Sequence, residues 1–194
     1  MALIYRDILG PRIADVIDDL ARLRITVFRD WPYLYDGDAD YERQYLGRYA
    51  RPGTIVVGAF DGARMVGAAT GMPLADHADD FAEALADTGI DMADTFYCAE
   101  SVLLPAYRGQ GAGHRFFDHR EAFARRSRFR VAAFCAVDRA PDHPALPAGY
   151  RPLDAFWRGR GYAPLPGAMA RFSWRDIGTD AETVKPLKFW TRTL

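Results

Sequence analysis

Cysteine is scarce in this chain. Two occur in 194 residues, Cys98 and Cys135, each inside an apolar run. A disulfide framework or a thiolate metal site needs more cysteines at other spacings, so both read as buried reduced thiols and no metal is expected. No apolar run is long enough to span a bilayer, and the first residues lack a signal-peptide pattern. The expected location is therefore the cytoplasm, with no membrane partner. Neither sign of charge is in excess: 25 Lys and Arg face 26 Asp and Glu, for a net charge of −1. No global field favours nucleic acid. The common phosphate signatures are also missing, since there is neither a Gly-Lys-Ser/Thr P-loop nor a Gly-x-Gly-x-x-Gly dinucleotide fingerprint. What remains is an ordinary globular composition, with enough chain for one domain over residues 1–194.

The informative stretch is Ser101 to Phe117. An apolar run ends at Pro105. Arg108-Gly109-Gln110-Gly111-Ala112-Gly113 follows, and then a helical pattern in which Ala112, Phe116 and Phe123 share one stripe while His114, Asp118, Glu121 and Arg125 take the opposite face. A strand, a glycine-rich loop and a helix N-terminus make an anion site. Glycine leaves backbone N–H groups unshielded, and the helix start adds unpaired donors and a partial positive charge.

Periodicity and turn chemistry order the rest. Ala2 to Ile8 predicts a strand, 11–28 a helix, Trp31 to Asp38 a loop and 39–50 a second helix carrying Tyr41, Tyr45 and Tyr49. Thr54 to Phe60 and Ala63 to Gly71 form a hairpin about Asp61-Gly62. Asp76 to Asp87 reads as an acidic helix, and Thr95 to Leu104 as the strand feeding the glycine loop. Phe129 to Val137 is a further strand, and Pro141 to Tyr150 a proline-rich loop. A short helix lies over Pro152 to Arg160, and two late strands over Ala168 to Trp174 and Leu187 to Thr193.

The string Arg108 to Gly113 fits (Gln/Arg)-x-x-Gly-x-(Gly/Ala), and the frame Leu103-x-Pro105-x-x-Arg108-Gly109 extends it. In this the chain resembles the GCN5-related N-acetyltransferases (GNAT). The element order agrees, with a helical insert before the central strand. The resemblance implies an α/β (α+β) acyl-CoA N-acyltransferase fold: a mixed central sheet of about seven strands, splayed between the fourth and fifth and flanked by helices. It also implies acetyl-CoA as cosubstrate and direct transfer of acetyl to a primary amine, small or peptidyl, in a ternary complex. A homodimer stays open.

By the same resemblance, backbone groups near Val102, Leu103 and Leu104 would pair with the pantetheine arm. Gly109, Gln110, Gly111, Ala112 and Gly113 would hold the pyrophosphate, with Arg108 as a further phosphate contact. Trp31, Tyr33 and Tyr35 fall where the family lines its acceptor side. Glu100, on the central strand, is the candidate base; its alternative is a carboxylate paired with an arginine. The stretch Phe156-Trp157-Arg158-Gly159-Arg160-Gly161-Tyr162 matches one in which the family commonly carries a tyrosine as acid, and Trp157 stands there instead. Three readings stay open: Tyr150 or Cys135 substitutes, the thiolate leaves unassisted, or the chain is a non-catalytic acyl-CoA-binding module. Arg125, Arg126, Arg128 and Arg130 form a basic patch suited to the coenzyme 3′-phosphate or to an acidic partner.

Overall fold

The computed structural model describes residues 2–194. Its centre is a hairpin whose two strands, β2 (Ile55–Asp61) and β3 (Arg64–Pro73), are buried on both faces. Alternation along β2 sends Val56 to one core with helices α1 (Ile17–Phe28) and α2 (Ala39–Gly47). It sends Ile55, Val57 and Ala59 to another with helix α4 (Ala112–Arg126). A third core forms under the short helix α3 (Ala78–Leu85), where Phe81 and Leu85 pack on Leu187 and Phe189.

Eight strands make one mostly antiparallel sheet in the order β1-β2-β3-β4-β6-β8-β7, with β5 beside β3. Here β1 is Ile4–Leu9, β4 Thr95–Tyr97, β5 Ser101–Leu103, β6 Val131–Val137, β7 Ala163–Arg175 and β8 Glu182–Thr193. Helix α5 is Asp154–Gly159. The β4–β6 pair alone is parallel. The expected mixed sheet flanked by helices is present, with β7 and β8 longer than their sequence patterns and the predicted fourth strand broken in two. Helix boundaries follow local chemistry. The Asp38 carboxylate caps α2 by accepting from the Asp40 and Tyr41 N–H groups at 3.1 and 2.9 Å. Residues Gly10–Val16, expected as the start of α1, form a 3-10 turn.

The break between β4 and β5 is a β-bulge. Met72 faces Tyr97 and Pro73 faces Phe96, yet Ala69 faces Ser101, so the register slips by one residue. Two residues, Ala99 and Glu100, stand opposite Thr70. The Ala99 N–H donates to the Thr70 carbonyl (3.1 Å), and the Thr70 N–H donates to the Glu100 carbonyl (3.0 Å). The bulge bends β5 away from β6. Below it β4 pairs with Val131 to Ala133; beyond it Phe134 to Val137 pair only with β8. The sheet therefore splays between the fourth predicted strand and the fifth, as the resemblance implies.

Candidate active site

A cleft of about 740 Å³ fills the splay. The glycine loop closes one end. Gly109 and Gly111 have φ of +76° and +81°, the left-handed region that glycine adopts without penalty, and a Cβ at either would project into open space. Gly111 caps α4, whose first turn has no side-chain cap. Among the described residues no protein acceptor meets the backbone N–H groups from Gly109 to His114. Six glycine-loop and helix-start donors left unpaired in this way suit a diphosphate. Gln110 turns its side chain back to the Ala106 carbonyl (3.4 Å) and offers only its backbone. Arg108 is drawn over the strand, donating to the Leu103 carbonyl (3.2 Å) and lying 3.4 Å from Asp30.

Along the cleft wall, antiparallel alternation decides which backbone groups are free. The Leu104 N–H donates to the Val66 carbonyl at 3.0 Å, and Thr70 bonds Glu100. Val102, between them and opposite Ala68, therefore spends its N–H and C=O on β3. Leu103 and Ser101 point theirs into the cleft. Of the three residues expected along the pantetheine arm, Val102 and Leu104 spend their N–H groups on β3, while Leu103 keeps its N–H toward the cleft and gives its carbonyl to Arg108.

Beyond the bulge lies a second pocket of about 240 Å³. Tyr33, Ala99, Glu100 and Cys135 line both spaces, so the two meet at the bulge. Aromatic side chains dominate the second pocket, among them Tyr35, Tyr45, Tyr97, Phe172 and Trp174. Tyr33 and Tyr35 thus reach the expected acceptor side. Trp31 does not: it lines the coenzyme-sized cleft with Tyr150, its ring 6.0 Å from that phenol. The 31–35 loop is clamped from the far hairpin. Arg139 donates to the Pro32 and Tyr33 carbonyls (2.9 and 2.7 Å) and forks onto Asp176 (2.9 Å to each oxygen), while Trp174 Nε1 also reaches the Tyr33 carbonyl at 2.9 Å.

Glu100 sits at the junction but is already engaged. Arg24 from α1 lies between it and the fully buried Glu42, pairing with both, and Tyr45 donates to Glu100 Oε1 at 3.2 Å. Burial opposes the Arg24 charge, yet Glu100, Tyr45 and Glu42 outweigh it and hold the guanidinium well above its ordinary value. The arginine-paired reading of Glu100 is what the structure shows. Across the pocket, His77 is buried. Its Nδ1 lies 2.9 Å from Asp80, and its Nε2 is buried without a partner among the described residues.

Trp157 lines the coenzyme-sized cleft, packed 5.0 Å from Phe134 and 5.1 Å from Trp190. Burial pushes the Cys135 thiol up to about 12, with its Sγ 3.0 Å from the Tyr97 hydroxyl. The arginine patch is misplaced for a coenzyme phosphate. It begins at the C-terminal end of α4, about 20 Å of helix from the glycine loop. Glu121, expected on the solvent face of α4, is buried instead and binds Arg160, Tyr162 and Arg192 at 3.0–3.2 Å.

Sequence reasoning missed Arg24, Glu42, His77 and Arg120. Arg24 and Arg120 did leave a signal, for each sits inside the apolar stripe of a helix, where a charge demands a partner.

Comparison with known proteins agrees with this geometry. Residues 18–148, well over half of the chain, match the family described as "Acetyltransferase (GNAT) family". Among solved structures, ribosomal-protein-alanine N-acetyltransferase from Brucella melitensis aligns over 99% of this chain and 100% of its own, with TM-score 0.64 and 15% identity. PaiA N-acetyltransferase from Thermoplasma acidophilum, in complex with coenzyme A, aligns over all of both chains with TM-score 0.56 and 10% identity. YncA from Salmonella typhimurium, solved with its cofactor acetyl-CoA, covers 100% of this chain and 95% of its own, with TM-score 0.60 and 13% identity. At these identities the structural likeness speaks to fold. No curated protein matches by sequence. The family match and the splayed sheet together establish that this chain belongs to the GNAT acetyltransferase family.

Proposed function

We propose that the protein is an acetyl-CoA-dependent N-acetyltransferase that transfers acetyl directly to a primary amine. One observation carries the reading: a cleft with a diphosphate cradle at one end opens, at a β-bulge, into a separate aromatic pocket. Two reactants entering from opposite sides would meet there. Acetyl-CoA would supply a thioester carbonyl activated toward amines. The glycine loop and the first turn of α4 would hold its diphosphate, and the Ser101 backbone and the Leu103 N–H would receive its amide-bearing arm as an added strand does, with Arg108 already on the Leu103 carbonyl. The Ser101 N–H, beside the bulge, would stabilise charge developing on the carbonyl oxygen.

The amine pocket, small and ring-lined, suits a compact acceptor. Aromatic faces also attract an ammonium group. A thiol of the cysteine type titrates near ~8.5, so its thiolate leaves readily, and an indole at Trp157 is compatible with turnover.

The test is thermal stabilisation of the protein by acetyl-CoA against NAD and ATP, followed by thiol release with 2-phenylethylamine, spermidine and alanine amide. Stabilisation by acetyl-CoA and thiol release with one amine are expected. A second reading, an acyl-CoA-binding module without catalysis, draws on the engagement of Glu100 by Arg24. Stabilisation by acetyl-CoA with no thiol release from any amine would favour it.

A further inference from the structure

The amine that enters the aromatic pocket is protonated at neutral pH and must lose a proton before it attacks. Glu100, the obvious acceptor by position, faces a guanidinium that it shares with Glu42. Glu100 Oε1 is already taken by Arg24 and by the Tyr45 hydroxyl. We propose that His77, oriented by Asp80, takes that proton, an inference that rests on the acetyl transfer proposed above.

Three observations support the assignment. First, His77 lines the same pocket as Glu100, Ala99 and Cys135, on the side formed by α3. Second, its ring is fixed. Phe81 and Tyr97 pack at centroid distances of 5.5 and 5.4 Å, and Nδ1 meets the Asp80 carboxylate at 2.9 Å. A carboxylate only accepts, so Nδ1 carries the hydrogen and Nε2 presents its lone pair. Third, that Nε2 is buried with no partner among the described residues. Buried polar atoms are nearly always satisfied, and an unpartnered acceptor in a ligand pocket calls for a donor from the ligand. An ammonium N–H, directly or through one water, is the donor this pocket admits.

The protons balance. An ammonium that becomes an amide loses two. One goes to His77 Nε2, freeing the nitrogen lone pair; the carbon–nitrogen bond forms, the carbon–sulfur bond breaks, and the thiolate takes the other proton to leave as thiol. The imidazolium then returns its proton to solvent beside Asp80, whose side chain is 36% exposed. The charged and titratable groups near the ring are Asp80 on α3, Arg48 beyond α2 at 3.5 Å from Asp80, Asp76 one residue before His77 with Arg51 at 3.0 Å, and Tyr97 on β4 against Cys135 on β6. Tyr33, Tyr35, Tyr41, Tyr45, Glu100 and Arg24 also line the pocket.

The experiment compares wild type, His77→Gln and Asp80→Asn with acetyl-CoA and the fastest of the three amines, from pH 5.5 to 9. His77→Gln is expected to lose about a hundredfold in kcat and to flatten the acid limb of the kcat profile, with unchanged stabilisation by acetyl-CoA. Asp80→Asn is expected to lose about tenfold. If His77→Gln does not fold, imidazole rescue of His77→Gly supplies the same readout. A His77→Gln enzyme with wild-type kcat and acid limb, or a His77→Gly enzyme that imidazole does not restore, overturns the assignment. A wild type that binds acetyl-CoA yet acetylates none of the amines overturns the proposed transfer itself.

Discussion

Arg120 Nη1 donates to the main-chain carbonyl of Glu100 at 2.9 Å, from a helix on the opposite side of the cleft wall. The same nitrogen reaches the Thr70 carbonyl at 3.1 Å, and Nη2 reaches Ser101 Oγ at 2.9 Å. One buried guanidinium thus grips both strands at the bulge where the two pockets meet. The α4 helix, which begins at the glycine loop, holds the bulge two turns later.

Replacing Arg120 by Met keeps much of the stem but removes these bonds. At about 1 kcal/mol per hydrogen bond, stability should fall by roughly 2–3 kcal/mol, read as a shift in the urea midpoint. Activity should fall further than stability explains: the bulge would relax toward a regular strand, and kcat/KM should drop more than about tenfold at temperatures where the variant is fully folded. An active variant with only a lower melting point would reduce Arg120 to a structural role.

Arg24 between Glu42 and Glu100 sets an order of damage. Arg24→Met leaves two carboxylates at a buried site and should cost about 3–5 kcal/mol, the usual result of orphaning a buried charge. Glu100→Gln should cost less, because Glu42 still balances Arg24. The losses are read as shifts in the urea midpoint of each variant against wild type.

Gly111→Val tests the cradle. A β-branched residue at φ +81° is strained, at about 1–2 kcal/mol, yet its Cβ meets no atom within 4 Å. The protein should fold with a modestly lower melting point. The side chain should instead occupy the space offered to a diphosphate, abolishing stabilisation by acetyl-CoA. Unchanged stabilisation would remove the loop from the coenzyme site.

What the sequence made legible was whatever depends on local chemistry. The Gly109–Gly113 loop, the Asp38 cap and the Asp61-Gly62 hairpin are each written in a few adjacent residues. The bulge is not, because Ala99 and Glu100 take their conformation from a slipped register with Thr70, some thirty residues away. The same holds for Glu100. Its neighbours along the strand leave a base and an arginine-paired carboxylate equally open, and only tertiary packing brings Arg24 to it. His77 read as part of an acidic helix, and its buried ring is defined by Phe81 and Tyr97 on two different elements. Trp31 and Tyr35, four residues apart, part company because the loop turns between the two pockets, and Tyr33 between them lines both.

Cys135 offers a readout that needs no acceptor. Its thiol sits on the wall shared by both pockets, 7% exposed, and burial raises it to about 12 against the opposing effects of the Tyr97 hydroxyl and its own backbone. Relative to a free thiol at ~8.5, the thiolate fraction at pH 8 is lower by about three orders of magnitude. Alkylation by iodoacetamide in the native protein should be slowed at least that much, and both cysteines should label once urea unfolds the chain. The sign for stability follows. A thiol raised in the fold contributes fully below its unfolded value, and that contribution is lost as pH climbs toward the folded one. Between about pH 8.5 and 12 the native state should therefore weaken, and Cys135→Ala should weaken less over the same range. Rapid labelling of native Cys135 at pH 8 would show that its thiol is not held in the buried wall the structure gives it.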